Sequence, residues 1–167
     1  MGRKSSKRRE RPLDEGAARE KCLRLLSVRA RSTAELRAGL LREGFEGGIV
    51  SGVLDSLADV GLLDDEEFAR SWIAGRKAAG IGRHKLAAEL GRKGIDRSTT
   101  ERLIAEQVDE GDERRQAEAI ARRRLGAEWD AKALARVRRL LLTRGYGFGT
   151  VDEVLQAIAG EHGDLNS

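Results

Sequence analysis

Three stretches of the 167-residue chain, LRAGLLREGF (36–45), LAAELGRKGI (86–95) and VRRLLLTRGY (137–146), share one pattern. Each places a glycine after a helix-like segment, and these glycines, Gly44, Gly94 and Gly145, lie 50 and 51 residues apart. Apolar residues stand eight and four positions before each glycine, which puts both on one face of a helix. Glycine in this position is typical of a left-handed cap that ends a helix. The pattern predicts a tandem repeat of helix, glycine stop and helix.

The size of the repeat predicts how its copies pack. Units of about 50 residues are near the lower limit of independent stability, so neighbouring copies are expected to stack. The one proline, Pro12, precedes the repeats, and alternating runs of β-branched residues are absent. We therefore predict an all-α fold of three tandem three-helix repeats, stacked into an elongated, curved array. The predicted segments are a disordered basic arm (1–14), the repeats (15–63, 64–111 and 112–160) and a frayed tail (161–167).

Capping signals predict the ends of individual helices. Serine or threonine three residues before glutamate forms a capping box, and this spacing occurs at Ser32, Ser98 and Thr150. With the apolar periodicity, it predicts helices over 17–29, from 32, over 48–60, from 64, over 83–93, from 98, and over 112–125, 130–144 and 150–159.

The net charge of +4 is distributed unevenly along the chain. Residues 1–11 carry a net charge of +5, and residues 114–145, with ten basic and three acidic side chains, carry +7. Residues 12–113, by contrast, carry −4. This asymmetry suggests that the arm and the third repeat contact a polyanion or an acidic protein face. The alternative is that these arginines form only a solvated face in an arginine-rich chain.

Sites for catalysis, metals or cofactors are not evident in the sequence. The acidic run 64–67 is explained by the helix dipole at a helix start, and the histidines, His84 and His162, are expected on the surface. The glycines in AGIGRHK and RGYGFGT lack the spacing of a phosphate-binding loop and are interpreted as turn residues. We therefore expect no enzyme activity, no metal and no cofactor.

The remaining candidates have structural interpretations. The single Cys22 lies on an apolar helix face and is expected to be an inert core thiol, which agrees with a cytoplasmic protein. Trp72 lies in an apolar stripe and is expected in the core, whereas Trp129 stands at a helix junction, where base stacking stays open. No stretch is long and apolar enough for a membrane span.

Residues 62–95, LLDDEEFARSWIAGRKAAGIGRHKLAAELGRKGI, resemble the RecX regulatory proteins of bacteria. The resemblance extends over about residues 16–160, although Gly126 and the WDAKAL segment depart from the pattern in the third repeat. The positions that match the family are Leu63, Asp65, Phe68, Ala69, Arg76, Gly80, Leu86, Glu89, Leu90, Lys93, Gly94 and Ile95.

The resemblance implies a non-enzymatic regulator. Proteins that look like this bind the RecA recombinase, lie in the groove of its filament on single-stranded DNA, and inhibit strand exchange, ATP hydrolysis and coprotease activity. On this basis we expect a cytoplasmic monomer that does not bind membranes. The predicted contacts with RecA or DNA are basic residues of the second and third repeats: Arg76, Lys77, Arg83, Lys85, Arg92, Arg115, Arg122 and Arg123.

Two other functions stay open from the sequence. The basic arm and the basic third repeat also suit a helical protein that binds nucleic acid, single- or double-stranded, without RecA. The start MGRKSS also fits the pattern for N-myristoylation, which would indicate a membrane-anchored adaptor.

Overall fold

A computed structural model describes residues 13–126 and 129–165. Within these residues the chain forms nine helices and no strand, which confirms the predicted all-α class. None of these helices combines the length and the apolar character that crossing a membrane requires. The helices are α1 (Glu15–Val28), α2 (Thr33–Arg42), α3 (Gly47–Asp59), α4 (Asp65–Ala78), α5 (Arg83–Arg92), α6 (Arg97–Gln107), α7 (Glu110–Leu125), α8 (Ala131–Thr143) and α9 (Phe148–Leu165).

The predicted glycine stops are confirmed at the level of hydrogen bonds. Gly44, Gly94 and Gly145 have φ values of 93°, 79° and 88°, in the left-handed region that favours glycine. After α5, the Gly94 amide donates to the Gly91 carbonyl and the Ile95 amide donates to the Leu90 carbonyl. These two bonds define the Schellman motif, and equivalent pairs follow α2 and α8. The repeat in the sequence is therefore a repeat of one helix-ending device.

The repeated motif fixes where each core lies. The residue after each glycine, namely Phe45, Ile95 or Tyr146, is buried and packs with the apolar residues of its own repeat. Each repeat thus has its own apolar cluster of three helices. By compactness the chain divides between Asp65 and Glu66, so that the first repeat forms one unit and the second and third repeats form the other.

The capping predictions have different outcomes. At Ser32 the capping box is confirmed, because the Ser32 hydroxyl accepts from the Glu35 amide and the Glu35 carboxylate accepts from the Ser32 amide. The prediction at Ser98 is wrong: Asp96 caps α6, and its carboxylate accepts from the Thr99 amide at 2.9 Å. A carboxylate two residues earlier has taken the position that the Ser98 hydroxyl was expected to fill.

The prediction at Thr150 is also wrong. The helix α9 begins at Phe148, and the Val151 amide already donates to the Gly147 carbonyl at 3.0 Å. Thr150 therefore lies within the first turn and cannot be its N-cap. The same helix continues to Leu165, past the end predicted at residue 159. Residues 1–12 of the predicted arm, and 166 and 167 of the predicted tail, lie outside the described residues.

Main-chain atoms join the second and third repeats. The Gly82 amide donates to the Arg144 carbonyl at 2.9 Å, and the His84 amide donates to the Gly145 carbonyl at 3.1 Å. A Cβ atom at Gly82 would lie 2.5 Å from the Gly145 oxygen and 2.6 Å from the Tyr146 nitrogen. Gly82 is thus more than a turn residue, because only glycine lets the two segments approach this closely.

Side chains extend this junction on the side of α7. The Gln116 amide group donates to the Lys77 carbonyl at 2.7 Å, and the Tyr146 hydroxyl donates to the Gln116 side-chain oxygen at 3.0 Å. Burial raises the pKa of Tyr146 to about 12, so the hydroxyl stays protonated and can donate well above neutral pH. The second and third repeats are therefore held together by hydrogen bonds from both the main chain and the side chains of Gln116 and Tyr146.

Candidate partner-binding surface

The structure separates the eight predicted contact residues into two groups. Arg92 and Arg123 are exposed and have no carboxylate within ion-pair distance in the described part of the chain. The other six bond to groups of the same chain: Arg76, Lys77, Arg83, Lys85, Arg115 and Arg122. A basic residue of this second group can bind a partner only if its internal bond is broken or shared. Positive charge alone is therefore not sufficient to identify a contact residue.

A buried carboxylate organises the second repeat. Glu89 is 8% exposed and accepts bonds from the Arg76 guanidinium at 2.5 and 2.8 Å and from the Trp72 indole at 3.0 Å. The Arg76 bond lowers the pKa of Glu89, with a smaller contribution from Trp72, so the carboxylate stays ionised. Lys93 lies 4.7 Å from the centre of the Trp72 ring. Trp72 thus packs against the second core, as expected, and its indole nitrogen is already bonded.

A second buried carboxylate lies where the second and third repeats meet. Glu113 of α7 is 5% exposed and accepts from the Arg83 amide at 2.8 Å and from the Arg83 side chain at 2.6 Å. The Glu113 carboxylate therefore accepts hydrogen bonds from the first backbone amide of α5 and from the guanidinium of the same residue. The side chain of Arg83 acts across the junction, which gives it a structural role whether or not it also contacts a partner.

On the surface of the second repeat, four side chains pair in a ring. Glu66 bonds Arg70 at 2.9 Å and Arg102 at 2.7 Å, and Glu106 bonds the same two arginines at 2.9 and 3.0 Å. The ring links α4 with α6 and neutralises the arginines locally. Glu66, part of the acidic run predicted to mark a helix start, is thus engaged with arginines.

The arginines of the third repeat are divided differently. Arg122 bonds Glu118 and Glu161, Arg138 bonds Asp152, and the remaining arginines with internal bonds are Arg115 and Arg144. Among the described residues, no ion-pair partner is found for an exposed second set, which consists of Arg114, Arg123, Arg124, Arg136 and Arg139. The excess charge seen in the sequence is therefore concentrated in a definable subset of side chains.

Four of these arginines belong to neighbouring parts of α7 and α8. Arg123 and Arg124 lie in the last turn of α7, while Arg136 and Arg139 lie on the exposed side of α8 together with Lys132. Arg124 and Arg136 line one groove, whose floor is formed by Ala133, Val137 and Leu140. We name this surface, made of Arg123, Arg124, Lys132, Arg136 and Arg139, the α7–α8 cationic face.

The residues considered for catalysis or stacking do not form a catalytic site with neighbouring described side chains. Cys22 is buried, and burial raises the pKa of its thiol, which disfavours the reactive thiolate. His84 is exposed, as expected. Trp129 is half-buried and packs against the third core. No group of three or more metal-ligating side chains occurs among the described residues.

Comparison with known proteins agrees with this architecture. Residues 18–57 match the family model described as RecX, first three-helix domain, and residues 64–103 match RecX, second three-helix domain. The Regulatory protein RecX of Mycobacterium sp. (strain KMS) is 42% identical over 159 residues, which cover 90% of this chain and 86% of that protein. The chain belongs to the RecX family. The Regulatory protein RecX of Mycobacterium avium (strain 104) is also 42% identical, over 87% of each chain.

A solved RecX structure shows the same fold. The crystal structure of RecX from Lactobacillus salivarius superposes with a TM-score of 0.75 at 19% identity, covering 87% of this chain and 97% of that one. At this identity the similarity concerns the fold alone.

The structure also explains the RecX motif in physical terms. Arg76 and Glu89 form the buried ion pair, and Gly80 and Gly94 have the positive φ values that end α4 and α5. The apolar positions of the motif are all buried: Leu63, Phe68, Ala69, Leu86, Leu90 and Ile95. These positions of the RecX motif therefore have a role in how the second repeat folds.

Proposed function

We propose that this protein binds the RecA filament on single-stranded DNA, in the filament groove, and inhibits recombinase, ATPase and coprotease activities. It acts as a cytoplasmic monomer, without enzymatic activity of its own and without a cofactor. The observation that carries the proposal is the 42% identity to proteins named Regulatory protein RecX over nine-tenths of the chain. The name RecX itself implies regulation of RecA.

The arrangement of charge supports a binding role over a catalytic one. Among the described residues, the buried carboxylates Glu89 and Glu113 are paired with arginines and are closed to a substrate. No activated nucleophile with a positioned base accompanies them in this part of the chain. What the protein presents to a partner is a helical surface with paired and unpaired cations, which suits recognition of a large assembly.

The proposal is tested by ATP hydrolysis of RecA from the same organism on single-stranded DNA. Addition of this protein at amounts up to one per RecA monomer is expected to reduce hydrolysis and strand exchange several-fold. RecA with DNA alone is the reference, and this protein with DNA but without RecA controls for intrinsic hydrolysis. Unchanged RecA hydrolysis and strand exchange across this range would overturn the proposal.

Two predicted contacts can be tested without disturbing the fold. Arg92 and Arg123 have no internal ion pair in the described chain, so replacing each with glutamate reverses an exposed charge without breaking an ion pair. If they contact the filament, Arg92→Glu and Arg123→Glu should weaken inhibition. Arg97→Glu is the matched control, because Arg97 is 90% exposed and its ion pair among the described residues is with Glu101 of its own helix. Inhibition equal to that of the control would remove both residues from the list of contacts.

A further inference from the structure

The α7–α8 cationic face combines five exposed cations without an internal partner among the described residues. Several arginines of similar exposure elsewhere in the second and third repeats are paired: Arg102, for example, is 46% exposed and bonds both Glu66 and Glu106. Arg92 and Arg114 are exposed without a described ion pair, but they lie outside this group of cations. Arg138, on the other side of α8, bonds Asp152 at 2.6 Å. The face is thus distinguished from its surroundings by a group of cations without a described ion pair, and not by the number of arginines alone.

The spacing of these cations is regular along α8. Lys132, Arg136 and Arg139 follow one another at four and three residues, so they form a single stripe on the exposed side of the helix. With a rise of about 1.5 Å per residue, the stripe extends over roughly 10 Å. Arg124 faces Arg136 across the shared groove and widens the stripe towards α7. Such an array presents positive charge continuously along one direction.

The surroundings of the face favour phosphates over an acidic protein surface. Protein interfaces are centred on apolar and aromatic anchors, with charges towards the rim. Yet none of the exposed large apolar side chains of the described residues lies on α7 or α8. The groove between Arg124 and Arg136 has only Ala133, Val137 and Leu140 at its floor, and Val137 is 4% exposed. The face therefore offers charge and arginine hydrogen bonds without an apolar anchor.

We propose that the α7–α8 cationic face binds DNA through its phosphate backbone, without reading sequence, and binds duplex more tightly than single strand. Arginine suits this role because its planar guanidinium forms two parallel bonds to a phosphate. An exposed aromatic platform for stacking unpaired bases is absent from the described part of the face, whereas duplex DNA has the higher charge density. This inference goes beyond the proposed function and does not depend on it, because DNA binding is measured without RecA.

The test is binding of a labelled 30-base-pair duplex, and of one of its strands, by the purified full chain at several salt concentrations. Engagement of all five cations gives a slope of log affinity against log salt of about −4.5 on duplex. The triple variant Lys132→Ala, Arg136→Ala, Arg139→Ala should bind duplex about 10- to 100-fold more weakly, with a slope shallower by about 2.7. A second duplex of unrelated sequence should give the same affinities.

A matched control removes the same charge elsewhere. Arg24→Ala, Arg42→Ala, Arg97→Ala replaces three exposed arginines outside the third repeat and should bind within about threefold of the unchanged protein. Alanine favours helix at all six positions, and circular dichroism of each variant verifies that it is folded.

Four outcomes would overturn the inference, and three of them concern DNA binding alone. These three are no DNA binding by the unchanged protein at 20 mM salt, equal loss of affinity in both triple variants, and tighter binding of the single strand than of the duplex. RecA hydrolysis is measured with the same proteins. If the α8 variant keeps its affinity for DNA but loses inhibition of RecA, the face binds a protein and the DNA assignment is wrong. If the unchanged protein binds DNA but never inhibits RecA, the proposed function fails and the inference stands.

Discussion

The second and third repeats use the same helix-ending motif but differ in how many of their arginines have an internal ion pair. In the second repeat, Arg76 is paired with a buried carboxylate, and Arg70 and Arg102 belong to a closed ring of four charges. In the third repeat, Arg136 and Arg139 point outward without an ion pair in the described chain. A repeated backbone therefore does not imply a repeated function, because the placement of carboxylates decides whether an arginine stabilises the fold or is available to a partner.

The largest effect is expected at the junction that joins these two repeats. Gly82 has φ −78° and ψ 164°, which any residue adopts, so Gly82→Ala introduces no backbone strain of its own. Its methyl group would nevertheless overlap the peptide between Gly145 and Tyr146, and main chain cannot move aside as a side chain can. We expect a loss of about 3 kcal/mol in the free energy of unfolding, measured by urea denaturation.

Gly91→Ala is the matched control for this substitution. Gly91 lies in the exposed part of α5, and a methyl group added there would meet no atom of a neighbouring segment within 4 Å. Alanine should therefore stabilise the helix by about 0.5–1 kcal/mol. Equal stability of the two variants would show that the second and third repeats are not locked together through their main chain.

A smaller effect is expected from the buried ion pair of the second repeat. Glu89→Gln keeps the size of the side chain but removes the charge that the Arg76 guanidinium and the Trp72 indole share. We expect a loss of about 2 kcal/mol in the free energy of unfolding, below the range for fully buried pairs because the Arg76 side chain is 35% exposed.

Arg139→Ala provides the contrast in the third repeat. This arginine has no ion pair in the described chain, so its removal should leave the urea midpoint unchanged. If instead Arg139→Ala destabilises the protein as much as Glu89→Gln does, the distinction between internal and available cations in these repeats fails.

The smallest effect is a dependence of stability on acid. The bond to Arg76 holds the pKa of Glu89 below its ordinary value of 4.5 in the folded protein. A lowered folded pKa contributes stability above the unfolded pKa, and this contribution is lost as the pH falls through the folded value. The unfolding free energy of the unchanged protein should therefore fall more steeply below about pH 4.5 than that of Glu89→Gln. Parallel curves from pH 6 to pH 3 would contradict this role of Glu89.

The sequence predicts the framework of the protein because the framework is local. A glycine stop is set by residues within one turn, so Gly44, Gly94 and Gly145 mark their helices directly. Capping was harder to predict, because neighbouring polar residues compete for the same amides. Asp96 caps α6 in place of Ser98. The first hydrogen bond of α9 is accepted by the Gly147 carbonyl, three residues before Thr150.

The pairing of charges could not be predicted in the same way. Arg83 and Glu113 are 30 residues apart and meet only because two repeats pack together, and Glu66 reaches Arg102 from a different helix. The sequence lists how many cations a repeat has, whereas the fold determines which carboxylate each one reaches. The eight predicted contacts were selected by charge, and their role towards a partner stays a prediction.

The junction at Gly82 and Gly145 also has a consequence for how such a protein can vary. Its two hydrogen bonds are made by main-chain atoms, so they do not depend on the identity of the side chains around them. Substitutions on the outer surfaces of α5 and α8 can therefore change charge while the distance between the two repeats is kept. A regulator built in this way can acquire a new binding preference by substitution of surface residues, while the main-chain contact between its second and third repeats stays the same.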